Sequence, residues 1–138
     1  MAAKKTKKPK GGKAGKRLNP YPSLPKAAST LARVRKLCLA LPETTEKIAW
    51  GAPTFRAASK IFVMFSDNHH GDSRLAIWCD APPGSQQALV ASDPEHFFVP
   101  PYVGCNGWVG IRLDRSLSWS IIAELIGEAH RTRAPQLD

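Results

Sequence analysis

With 138 residues, 43% of them hydrophobic and 22% charged, the chain has the size and composition of one soluble globular domain. No run of about 18 apolar residues occurs, which excludes a transmembrane helix, and the lysine-rich start lacks the apolar core of a signal peptide. The formal net charge of +9 is unevenly placed, because nine cations and no acid fall in residues 1–26, leaving eleven cations against eleven acids in the rest.

The strong basicity therefore belongs to a tail and says nothing about a basic face on the folded body. Residues 1–26, rich in Lys, Gly, Ala and Pro, cannot bury enough apolar surface to offset the entropy of ordering, and are expected to form a disordered arm. Residues 27–138 are expected to form the domain. The chain is expected in the cytoplasm, with no membrane partner. The three cysteines, Cys38, Cys79 and Cys105, are odd in number and widely spaced, which fits reduced thiols better than a disulfide framework.

The first predicted helix starts from Ser29 as N-cap, with Leu31, Val34, Cys38 and Leu41 at helical spacing and Pro42 as its stop. Strands follow at 44–50 and 54–56, separated by a turn at 51–53. A turn at 57–59 leads into the apolar run 60–65, which reads as a central strand covered on both faces. Residues 67–72, DNHHGD, read as a polar, solvated loop. In the strand 74–79, Leu75, Ile77 and Cys79 share one face and Arg74 and Trp78 the other. A short helix, 85–92, lies between Gly84 and Pro94. Asp93 before Pro94 reads as a turn residue whose carboxylate caps backbone donors.

The stretch 93–114 concentrates aromatic residues, proline and glycine. Asn106-Gly107 carries the signature of a type I′ hairpin turn, which needs positive φ at both central residues. On the arm after it, Val109, Ile111 and Leu113 alternate with Trp108, Gly110 and Arg112. The second set leaves a bare backbone position between an aromatic ring and a guanidinium. That face could receive a base, a phosphate or another planar group, or it could be filled by packing from within the chain. The last helix is capped by Ser118, buries Trp119, Ile122, Ile126 and Ala129 on one side, and stops at Pro135. Together these elements predict an α+β fold: a single antiparallel sheet with hairpin wings, packed against N-terminal, short middle and C-terminal helices. No internal repeat is visible, and nothing in the sequence sets an oligomeric state beyond the default of a monomer.

The strings WGAPTFR at 50–56 and GSQQALVASDPEHFFVPPYVGCNGWVGIRLD at 84–114, with the tryptophan that opens the last helix, resemble the MmcQ/YjbR family of small bacterial proteins. The resemblance runs from about residue 37 to 133, leaving only the lysine-rich arm outside it. It implies a double-wing α+β domain and, by the label the family usually carries, DNA binding. The loop at 67–73 departs from the family pattern.

Weighed residue by residue, catalysis has little to work with. Cys105 and His96 could pair as nucleophile and base, but no third orienting group is evident. His69 and His70 with Asp67 and Asp72 lack the ligand spacing of a closed zinc site. Neither a nucleophile elbow nor a phosphate-binding glycine loop is present. No enzyme activity, metal or cofactor is therefore expected.

The expected function is a nucleic-acid-binding module, with DNA ahead of RNA as the partner. Lys4, Lys5, Lys7, Lys8, Lys10, Lys13, Lys16 and Arg17 would supply non-specific phosphate affinity through counterion release. Arg56, Lys60, Arg74 and Arg112, on strands or at their ends, would add contacts from a winged face, while Phe55, Trp78, Tyr102 and Trp108 could stack bases of a single strand. The alternative is a small-molecule or protein-interaction cleft formed by Phe55, Arg56, Tyr102, Trp108 and Arg112, with the arm serving solubility.

Overall fold

Residues 20–137 are described by the computed structural model. Six strands form one antiparallel sheet: β1 (Thr44–Ala49), β2 (Ala52–Ala57), β3 (Lys60–Asp67), β4 (Leu75–Cys79), β5 (Phe97–Phe98) and β6 (Val109–Arg112), in the order β1-β2-β3-β4-β6-β5. Three helices accompany it: α1 (Ala27–Leu39), α2 (Ser85–Ser92) and α3 (Trp119–Arg133). The α+β expectation holds. No helix among the described residues is long and apolar enough to cross a membrane.

Two tight hairpins build the β1–β2–β3 meander. Trp50 and Gly51 (φ 53° and 74°) link the paired Ala49 and Ala52, while Ala58 and Ser59 (φ 49° and 74°) link Ala57 to Lys60. Positive φ at both central residues matches the right-handed twist of the flanking strands. A register shift at Phe55/Arg56 pairs Phe55 with Val63 and Arg56 with Ile61, so Phe62 is the extra residue of a bulge. Its ring meets the His130 imidazole of α3 edge-on, with centroids 5.2 Å apart.

Register assigns the two faces. Phe55, Val63, Cys79 and Val109 fall in one row across β2, β3, β4 and β6, and Phe65, Ile77 and Ile111 in the next. These side chains are buried in one cluster with Val34 and Cys38 of α1 and Ile122, Ile126 and Ala129 of α3. Burying each large apolar side chain contributes about 1.5–3 kcal/mol, so this row is what fastens the helices to the sheet. His130 Nε2 donates 2.8 Å to Pro42 O, tying the end of α3 to the entry of β1.

Four local expectations are corrected. Ser29 is not the N-cap of α1; the helix starts at Ala27 after Lys26 in the left-handed region, and Ser29 Oγ instead bonds Lys26 O. The domain reaches further back than residue 27, because Leu24 N donates 2.8 Å to Asp67 Oδ1 and Asn68 Nδ2 donates 3.0 Å to Pro22 O. Asn106-Gly107 does not make a two-residue hairpin. Only Gly107 has positive φ, a short 3₁₀ turn spans Gly104–Asn106, and β5 and β6 are joined by residues 99–108. Asp93 does not cap backbone donors with its carboxylate, which pairs instead with His96 Nδ1 at 2.8 and 3.0 Å. By contrast, α2 has its expected bounds, and Ser118 caps α3 by accepting from Ser120 N.

Candidate functional site: an aromatic groove

The face of the sheet away from α1 and α3 carries Met64, Ser66, Trp78, Gly110 and Arg112, by the alternation that sends their neighbours into the core. On this face Trp78, Ser66 and Met64 help to line a groove of about 980 Å³, together with Trp50, His69, His70, Tyr102 and Trp108. The groove continues past the β1–β2 turn to Ala27, Ala28 and Leu31 at the start of α1. Its volume and aromatic lining fall in the range of small-ligand sites.

Each wall has a local cause. Trp50 projects from the two-residue β1–β2 turn and is 70% exposed. Tyr102, 68% exposed, sits at φ 66° in the connection between β5 and β6. Bulky residues rarely adopt the left-handed region, at a cost of roughly 1–3 kcal/mol where they do, and such strain gathers at binding sites. Gln86 of α2 secures that connection: its Nε2 donates to Gly104 O at 2.8 Å and to Trp108 O. Gly104 is needed there, since a Cβ would lie 2.5 Å from Val99 Cγ1.

The DNHHGD segment is a wall of the groove, not the solvated loop its polar letters suggest. His69 and His70 lie in a 3₁₀ turn, and the Tyr102 hydroxyl stands 3.4 and 3.1 Å from their Nε2 atoms. One hydroxyl can donate to one neutral imidazole and accept from the N–H of the other. His69 also meets Trp78 edge-on at 5.1 Å and Tyr102 at 5.7 Å. Burial and, next, the neighbouring His70 hold the His69 imidazole below its ordinary range, only partly offset by Asp72. Both acids of this segment are engaged by backbone donors: Asp67, which also lines the groove, accepts from Leu24 N, and Asp72 from Arg74 N.

Two polar groups of groove-lining residues lack partners among the described residues. Trp78 Nε1 and Ser66 Oγ are both buried and neither makes a hydrogen bond. Buried donors left unpaired are uncommon enough to call for an explanation.

Of the five residues expected to form a cleft, only Tyr102 and Trp108 line the groove. Phe55 is fully buried on the opposite, helix-covered face. Arg112 is held by Asp114 through two hydrogen bonds of 2.9 and 3.0 Å, and Arg56 has its Nε buried without a partner among the described residues. Gly110, the bare position between Trp108 and Arg112, is covered from within by the Phe98 ring, over which the Arg74 guanidinium lies at 4.1 Å. The four strand cations are also split. Arg56 and Lys60 sit at the β2–β3 turn, Arg74 and Arg112 at the opposite ends of β4 and β6. The arm cations Lys4 to Arg17 lie outside the described residues.

Cys105 and His96 are not assembled as a pair. Cys105 Sγ faces Tyr102 O, while His96 is engaged at both nitrogens, by the Asp93 carboxylate and by Arg115 O at 2.7 Å.

Sequence reasoning missed Trp50, Met64, Ser66 and the two histidines as groove residues, and Gln86 as the brace behind them. An exposed tryptophan beside Gly51 was the available signal, since a ring that large is seldom placed on a turn tip without cause.

No curated protein matches the sequence. Among solved structures, the crystal structure of Deinococcus radiodurans protein DR2400, described by the family-model domain DUF419, matches with a TM-score of 0.62. That match covers 78% of this chain and 86% of the other at 16% identity, and it shows a shared fold. The model of the YjbR family matches residues 39–132, from the end of α1 almost to the end of α3. The chain therefore belongs to the YjbR family.

Proposed function

We propose that the protein is a non-enzymatic binding module whose groove stacks flat rings, and that these rings are the unpaired bases of a nucleic acid, DNA before RNA. The observation that carries the reading is the pair of exposed aromatics, Trp50 and Tyr102, held at positive φ on the walls of one groove. Base stacking on aromatic side chains is tolerant of sequence and worth about 1–3 kcal/mol per base. The cations of residues 1–26 would supply phosphate affinity and its salt dependence. A winged face of strand arginines is less well supported, because Arg112 and Arg74 are already engaged and stand apart from Arg56 and Lys60.

The test is fluorescence anisotropy of labelled oligothymidylate and of a duplex of equal length, over a salt series. The single strand is expected to bind more tightly, and Trp50→Ala/Tyr102→Ala to weaken it by about tenfold or more. Replacing the arm lysines by glutamine should flatten the salt slope. Preferential duplex binding that survives the double alanine variant would contradict the reading.

A second reading, a free small aromatic ligand in the same groove, is favoured by the charge balance of residues 27–138 and by the buried donors at Trp78 and Ser66. It would show as ring binding without oligonucleotide binding.

A further inference from the structure

We infer that the groove recognises a carbonyl borne by a planar ring of its ligand, read by the indole N–H of Trp78 and the hydroxyl of Ser66. This rests on the groove being a ring-binding site, but not on the ring belonging to a nucleic acid. Met64 pairs with Trp78 and Ser66 with Ala76, so Ser66 and Trp78 are diagonal neighbours on the same face of β3 and β4. Diagonal side chains in antiparallel strands are close enough for one ligand to touch both.

Trp78 is 3% exposed and Ser66 5%, and no acceptor among the described residues satisfies either. An indole N–H can only donate, so whatever complements it must bring an acceptor. Leaving such a group buried and unpaired carries a desolvation penalty that a ligand carbonyl would remove on binding. The rings above Trp78 belong to His69 and Tyr102, at 5.1 and 6.3 Å. Of these covering rings Tyr102 is the more exposed, and its hydroxyl contacts to the two histidines lie across the groove. Swinging it aside would open Trp78 to a planar ring while keeping an aromatic wall. A ring without an acceptor would fill the same space yet leave both donors unpaired, so discrimination should follow the carbonyl rather than ring size.

The experiment follows the Trp78 indole resonance in ¹H–¹⁵N spectra of the full chain, titrated with thymidine, with benzamide and with toluene as the acceptor-free ring. The carbonyl probes are expected to move that resonance downfield, and toluene to leave it near its starting position. Trp78→Phe and Ser66→Ala should each weaken benzamide about tenfold more than they weaken toluene. Ser66→Ala, the smaller change, keeps the test open if Trp78→Phe fails to fold. The inference is overturned if neither carbonyl probe binds, or if one binds without moving the resonance, as it would if the N–H were already aimed at the His69 ring. If benzamide moves Trp78 while oligothymidylate does not bind, the nucleic-acid reading fails and the carbonyl inference stands.

Discussion

Replacing Gly110 by alanine would place a Cβ 2.4 Å from Cε2 and Cζ of Phe98 and 2.6 Å from its Cε1. Ordinary contact begins near 3.4 Å, so the ring must retreat by about 1 Å or β6 must move. The ring is hemmed in, since the Arg74 guanidinium lies 4.1 Å from its centroid and Phe98 is paired in register with Gly110. Forcing one extra methyl into a packed site costs about 1–3 kcal/mol. For a domain of this size that corresponds to a fall in Tm of roughly 3–12 °C. Urea and thermal melts of Gly110→Ala, alone and combined with Phe98→Ala, measure the coupling. In the Phe98→Ala background the alanine at 110 should be neutral, or stabilising by up to about 1 kcal/mol as a strand residue with less backbone freedom to lose. A Gly110→Ala protein as stable as wild type, or one whose destabilisation persists without the Phe98 ring, would refute the claim that this glycine exists to receive Phe98.

Three further outcomes follow from the same physical reasoning. The His96 imidazole is raised above its ordinary range first by its hydrogen bond with Asp93 and next by that with Arg115 O. Its stabilising contribution is therefore complete below about pH 6.5, the unfolded value, and is lost as pH rises through the higher folded value; His96→Gln should remove that slope from denaturation midpoints measured against pH. Cys38 and Cys79 are buried, with their thiols pushed up by desolvation, whereas Cys105 is exposed. A thiol reagent should titrate one cysteine in the native protein and three in denaturant; fast modification of a second native thiol would contradict the burial. His130→Ala should cost roughly 2–4 kcal/mol, because it deletes a fully buried ring packed on Phe62 and leaves Pro42 O without its donor, and a midpoint shift under about 0.5 kcal/mol would be inconsistent with that contact.

Helices α2 and α3 were legible because their signals are local: Ser118 caps one, and Gly84 and Asp93-Pro94 bracket the other. The α1 stripe of Val34 and Cys38 was legible for the same reason, but its start was not, because that start is fixed by residues 22 and 24 bonding to Asp67 and Asn68 more than 40 positions away. The turn chemistry misled in one direction. Asn106-Gly107 has the favoured composition for two positive φ values, yet Trp50-Gly51 and Ala58-Ser59 adopt them, since the sheet's twist demanded it there. Alternation correctly put Gly110 and Arg112 on one face, but the partner that fills it, Phe98, arrives through a β5–β6 pairing that no local pattern announces. The groove was half visible. Tyr102, Trp108 and Trp78 were singled out as aromatic, while His69 and His70 were hidden by polar neighbours, because letters do not reveal that an imidazole will meet an indole edge-on.

Mapping where a single strand touches the body tests the account most directly. In ¹H–¹⁵N spectra of the full chain with oligothymidylate, the largest shifts are expected at Trp50, Trp78, Tyr102 and Trp108, all on the groove. Shifts centred on Arg56 and Lys60 at the β2–β3 turn, with the groove tryptophans unmoved, would contradict it.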